Sequence, residues 1–276
     1  MPLKTYESPD NLIARLDSVV SAATQTEFYP RFLIGRSGVD SMEDFRNIPI
    51  TPVETYQRQR LGEVVADISK VEWIIGAHRG QSSGFVATTE GPEEAATRYE
   101  IFADAIKQCI SFETPLTCAI VTSGAQRFFA AEIGGILIRA GVSTHVFVDN
   151  IKIRTYEMLR YVSPEILVIL SNRLDEEKLP DGLELCITFR RSQRMRNISQ
   201  LDFYHVDELG FLGQSIDCES YLLNNDEYYF ERSDSGRLIV TSLYNHVQPM
   251  LRIETMDTVK PLGTHGAEFD EMCAIA

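Results

Sequence analysis

Between residues 117 and 206 the chain alternates short apolar runs with amphipathic stretches, and this pattern restricts the fold more than any other feature. TCAIVTS, THVFVD, EILVIL, LELCITF and LDFY read as strands. Residues 126–140, with Phe129, Ile133 and Ile136 on one side, and residues 152–161 read as helices between the first three of them. Strands that are apolar on both faces need helices over both faces, so the pattern predicts a mainly parallel α/β sheet covered on each side. Upstream, residues 9–23 predict a helix whose Leu12, Ile13, Leu16, Val19 and Val20 share a face. Pro92–Ile110 predicts a second strong helix on Ala95, Ala96, Tyr99, Phe102, Ala103, Ile106 and Ile110. The intervening segment mixes prolines, glycines and short helical pieces, and reads as an arm that wraps the domain without adding a strand.

After about Cys218 the texture changes. EYYFER, GRLIVTSL and PMLRIET are strands joined by short polar turns, which predicts a small antiparallel section. The expected division is therefore an α/β core with its arm over 1–215, an antiparallel β section over 216–262, and a small polar tail over 263–276 that ends the fold.

With 276 residues, 44% of them apolar, the chain can bury a sizeable core. A net charge of −14 repels phosphate backbones, so neither nucleic acid nor an anionic membrane is an expected partner. No apolar leader opens the sequence and no run reaches the roughly 18 apolar residues of a membrane span. The five cysteines, an odd number without CxxC spacing, predict neither a disulfide framework nor a zinc site, and a reducing cytoplasmic location follows.

Several segments resemble the adenylate-forming (acyl-CoA ligase) superfamily in its phenylacetate–CoA ligase-like version. LDFYHVDELGFLGQSIDC resembles the family's Tyr-Gly-x-Ser/Thr-Glu strand end through Tyr204, Asp207, Glu208, Gly210 and Gly213. YYFERSDSGRLIVTSL resembles its glutamate, acidic turn and Gly-Glu-Leu-Val-Thr-Thr-Leu strand pair. PMLRIETMDTVKPL resembles its Pro-Leu-x-Arg-Tyr-x-Thr-Gly-Asp segment through Arg252 and Asp257, and RFLIGRSGVDSMEDFRNIPITPVETYQRQR resembles its N-terminal arm.

The resemblance implies a ligase acting on a small carboxylic acid in a biosynthetic pathway, with ATP/AMP and Mg2+ as cofactors. Acid and ATP would form an acyl-adenylate and pyrophosphate, with CoA or a phosphopantetheine arm on a carrier protein as acceptor. It also implies roles for residues. Glu208 would be catalytic and hold the magnesium; Asp257 would take the ribose hydroxyls; Arg252 would lie near the nucleotide; Tyr204 would stack by the adenine or line the acyl pocket. Asp207 would sit beside the nucleotide, and Ser82 and Ser83 would serve the phosphates.

The pattern also departs from the family. The loop Ala77–Phe85 keeps glycines and serines that suit phosphate but lacks the family's lysine, leaving His78 and Arg79 as its cations. His205 replaces a glycine, where an imidazole either fills the space or offers an acid/base group. Residues 188–192 do not match the adenine-side turn. The family's small lysine-bearing domain has no counterpart in the sequence, so the reading is of a large domain that needs a partner such as a separate catalytic subunit; a second copy of the chain is a further candidate partner. Two alternatives stand beside it: an ATP-independent acyl-transfer or condensation enzyme with His205 as base, and an inactive binding module. Arg190, Arg191, Arg194 and Arg196 form a basic cluster able to grip a phosphate or carboxylate.

Overall fold

The computed structural model describes residues 9–79, 85–110, 115–123, 126–148, 152–170, 174–189, 195, 198–206, 208–215, 220–261 and 272–275. The chain opens with helix α1 (Pro9–Thr24), followed by the short helices α2 (Pro30–Leu33) and α3 (Met42–Arg46), strand β1 (Thr51–Pro52), and helices α4 (Val53–Gln57) and α5 (Leu61–Val64). A hairpin of β2 (Trp73–Arg79) and β3 (Phe85–Glu90) leads into α6 (Pro92–Lys107). The alternating region then gives β4 (Thr117–Thr122), α7 (Arg127–Arg139), β5 (Ser143–Val148), α8 (Lys152–Val162), β6 (Ile166–Ile169), β7 (Leu185–Phe189) and β8 (Ser199–Val206). The remaining strands are β9 (Gly210–Ser215), β10 (Tyr221–Leu223), β11 (Tyr228–Arg232), β12 (Arg237–Ser242), β13 (Ile253–Pro261) and β14 (Met272–Ile275).

Among the described residues one twelve-stranded sheet runs in the order β11-β12-β13-β14-β10-β9-β8-β7-β6-β4-β5, with β1 beside β13, and β2–β3 stand apart as a two-stranded sheet. From β5 to β8 every pairing is parallel. From β8 to β11 every pairing is antiparallel. The mainly parallel α/β core with an antiparallel section is thus as the sequence predicts.

Alternation along β4 divides the core. Cys118 and Ile120 face a layer with Phe102 and Ile106 of α6 and Ile133 and Leu137 of α7. Ala119 and Val121 face the other layer, with Tyr156 and Leu159 of α8. A third cluster lies under the arm, where Leu16, Phe28, Tyr29, Phe45 and Tyr56 pack on Tyr204, Leu212, Leu238, Val240 and Ile253. Fully burying one such side chain stabilises the fold by about 1.5–3 kcal/mol.

Three details differ from the expectation. The arm does add a strand, because Thr51 and Pro52 lie parallel to Ile253 and Glu254. The segment assigned to the tail supplies β14, which pairs with both β10 and β13. Helix α6 buries the expected Ala95, Phe102 and Ile106, but Glu94, Arg98 and Ala105 are buried beside them and Ala96 is exposed. Among the described residues no helix is long and apolar enough to cross a membrane.

Candidate active site

The site is built around the carboxyl end of β8. Successive strand residues face opposite ways. Asp202 and Tyr204 point to one side, and Phe203 and His205 to the other, among Phe102, Phe129, Phe189 and Phe211. Tyr204 is fully buried, and its hydroxyl donates to Asp257 Oδ2 on β13 at 2.9 Å. Thr255 Oγ1 accepts from the Asp257 backbone N–H at 3.3 Å. Asp202, also fully buried, accepts from the hydroxyls of Thr188 and Tyr221.

Two glycines shape the strand that follows. Gly210 opens β9 at φ +85, a conformation that favours glycine and turns the chain back after Glu208. Gly213 lies opposite Tyr204, and a Cβ there would meet the Leu222 carbonyl oxygen of β10 at 2.6 Å. The register shifts between Tyr204 and His205, so the pairing is irregular where the strand reaches the site.

The turn carries Glu208 into a cleft walled by Glu90 of β3, Arg98 of α6, Glu132 of α7 and the loop with Tyr244 and Asn245. Glu208 is buried and accepts a hydrogen bond from Gln57 Nε2 of α4. Tyr228 fixes the turn from behind: its hydroxyl donates to the Leu209 carbonyl at 2.6 Å and lies 3.2 Å from the Tyr244 hydroxyl. Arg98 Nε donates to both carboxylate oxygens of Glu90, at 2.8 and 2.9 Å, and its Nη1 to Glu132. Burial pushes the Glu90 carboxyl above its ordinary range, Arg98 opposes that, and nearby Glu94 reinforces it. Among the described residues Glu90, Glu132 and Glu208 thus line the cleft together with Arg98, and carboxylates held together away from water favour a nearby positive charge. No three His, Cys, Asp or Glu residues among those described are arranged to hold a metal by themselves.

The structure therefore brings Tyr204 and Asp257 into contact and sets Glu208 in the cleft. His205 takes a different position. Its ring centroid lies 4.5 Å from Phe129 and 5.2 Å from Phe211. Arg252 is buried under the arm: Nε and Nη2 donate to the two oxygens of Glu231, each at 2.9 Å, and Nη1 donates to the carbonyls of Arg46, at 2.5 Å, and Ile48. Ser82, Ser83, Asp207, Cys218 and the cluster of Arg190, Arg191, Arg194 and Arg196 lie outside the described residues.

Gln57, Glu90, Arg98 and Glu132 were not anticipated. Arg98 left a signal, since it sits at a helical spacing from Ala95, Phe102 and Ala105, and a charge inside an apolar stripe needs a buried partner. Gln57 left none, because its partner is 151 residues away.

No family model and no curated protein matches this sequence. Solved structures do. A 2-hydroxyisobutyryl-CoA ligase in complex with 2-HIB-AMP and CoA superposes with a TM-score of 0.74 over 96% of this chain and 66% of that one, at 14% identity. An open conformation of the same ligase gives 0.75 over 96% and 68%. This is the adenylate-forming ligase fold. The amide bond synthetase McbA from Marinactinospora thermotolerans matches less extensively, with a TM-score of 0.51 over 75% of this chain and 49% of that one, at 10% identity. The ligase fold thus accounts for nearly the whole of this chain, which spans about two thirds of the first ligase's length.

Proposed function

We propose that this chain is an acid–CoA or acid–carrier ligase domain that binds the adenylate of a small carboxylic acid between the carboxyl end of β8 and the middle of β13. The observation that carries the reading is the Tyr204–Asp257 hydrogen bond, which joins two motif segments 53 residues apart at the carboxyl end of a parallel strand. Ligands collect at that end of α/β sheets. Asp257 takes the ribose hydroxyls, the buried Tyr204 holds Asp257 in place through its hydroxyl, and Ser82, Ser83 and Asp207 serve the phosphates. Glu208 supplies one oxygen to Mg2+. That suffices for this ion, which is usually held by one or two carboxylates and the phosphates themselves. Bound there, Mg2+ neutralises charge on the phosphates.

Arg252, held by Glu231 and two carbonyls, acts in this reading as the clamp of the arm. His205, packed among phenyl rings, forms a wall of the acyl pocket. Because residues 77–85 include no lysine, adenylation relies on another cation, such as a lysine-bearing unit in the same or a separate chain. CoA or a carrier-bound phosphopantetheine accepts the acyl group, and the product enters biosynthesis.

A thermal-shift titration with AMP and with an acyl-sulfamoyl adenosine tests the reading. Ligand at about 100 times its Kd stabilises the folded state by about 2.7 kcal/mol. Asp257→Asn keeps an oxygen to accept from Tyr204 but removes the charge, and should weaken both ligands about tenfold or more. Absence of any shift with the parent chain, or equal affinity in the variant, overturns the proposal.

A further inference from the structure

Two consecutive side chains of the short arm helix α4 bond to segments far along the chain. Gln57 donates to Glu208 on the β8–β9 turn. Tyr56, its neighbour, accepts from Gln248 Nε2 at 3.0 Å, and Gln248 Oε1 accepts from both the backbone N–H and the hydroxyl of Thr89 at 2.7 and 3.1 Å. Thr89 lies on β3, the second strand of the β2–β3 hairpin. Tyr56, Gln248, Thr89 and Glu208 are all buried. One turn of helix therefore fixes the motif glutamate and the base of the hairpin relative to each other.

We infer that Gln57 is a positioning residue that aims the Glu208 carboxylate at the divalent cation of a bound magnesium–nucleotide. The inference rests on the adenylate reading above. The chemical choice of glutamine supports it. A lysine or arginine at this place would orient Glu208 equally well but would also neutralise it. The neutral amide orients the carboxylate without adding a positive charge to a cleft that also holds Glu90 and Glu132. Arg98, which also lines the cleft, is engaged by those two carboxylates. Partners that orient a metal's ligands typically control metal affinity by about 10- to 100-fold.

The test compares the parent chain with Gln57→Ala and Gln57→Lys, measuring affinity for ATP as a function of magnesium concentration and affinity for AMP without magnesium by calorimetry. Melting temperatures without ligand report folding. Both variants should bind magnesium–ATP about tenfold more weakly, with the magnesium dependence shifted to higher concentration, while AMP affinity stays at the parent value. Gln57→Lys is the decisive variant: it keeps a donor to Glu208, so a merely structural bond would survive in it and magnesium–ATP affinity would not move. Parent-like magnesium dependence in Gln57→Lys, or loss of folding in both variants, overturns the inference while the adenylate reading stands. If the parent chain binds neither magnesium–ATP nor AMP, the adenylate reading fails and the inference falls with it.

Discussion

Replacing Arg252 with alanine separates two accounts of this residue, one in which it serves the nucleotide and one in which it ties down the arm. Its guanidinium makes four hydrogen bonds, two to Glu231 and two to the carbonyls of Arg46 and Ile48. The ion pair is largely buried, with side-chain exposures of 8% and 12%. Removing one member of such a pair leaves its partner charged and poorly solvated, which costs about 3–5 kcal/mol. In a chain of this size each kcal/mol lowers the melting temperature by about 2–4 °C, so Arg252→Ala should melt at least about 6 °C below the parent.

The backbone supplies an internal control, because Arg252 sits at φ 48, where a side chain is strained. Arg252→Gly loses the same contacts but relieves about 1–2 kcal/mol of that strain, so it should melt above the alanine variant. Limited proteolysis within residues 25–60 should accelerate in both. The assay is thermal melting followed by circular dichroism, beside AMP affinity at a temperature where both variants are folded. An unchanged melting temperature together with a large loss of AMP affinity would refute the clamp and restore the nucleotide role.

Three further outcomes are expected. Tyr204→Phe leaves buried Asp257 without its hydroxyl donor and should lower stability by about 1–3 kcal/mol in urea titration; an unchanged midpoint would show that the bond adds nothing. Gly213→Ala drives a methyl into the Leu222 carbonyl and should cost about 1–3 kcal/mol by the same measurement, with parental stability as the contrary result. Burial depresses the half-buried His246 imidazole below its usual 6.5, helped by Arg15 and Lys70 and opposed by Glu94 and Glu93. The unfolded chain then takes up the proton first, so stability is fully present above pH 6.5 and declines as pH falls through and below that value. His246→Gln should flatten this decline in melting temperature between about pH 7 and 5, and an unaltered slope would assign it to other groups.

The sheet was legible in the sequence because its strands are apolar throughout and its helices periodic, and both signals are local. Residues 117–122, 143–148 and 166–169 needed no knowledge of their neighbours. The short strands β1, β10 and β14 were not legible, since two to four residues carry no periodicity and their pairing depends on partners far along the chain. The site divides the same way. Tyr204, Glu208 and Asp257 stand in motif segments, and the structure adds the contact between Tyr204 and Asp257. The helical spacing of Arg98 is a signal, but Tyr99, an aromatic, fits the apolar stripe better on composition, and only the fold brings the carboxylates of Glu90 and Glu132 to the guanidinium.

The arm has a consequence for how the molecule is made. Its docking surface consists of residues that are translated last. The Tyr29 hydroxyl accepts from the backbone of Leu251, 222 positions later, and Arg15 donates to Glu227. At about 5–20 residues per second, Phe28 and Tyr29 wait roughly 10–45 s on the ribosome before β13 exists to cover them. The parallel strands of residues 117–206 close over far shorter separations and fold ahead of the arm. Nascent chains arrested before residue 250 should therefore lose the arm to protease while retaining the helices and strands of the parallel half, and protection of the arm in such chains would contradict this order of assembly.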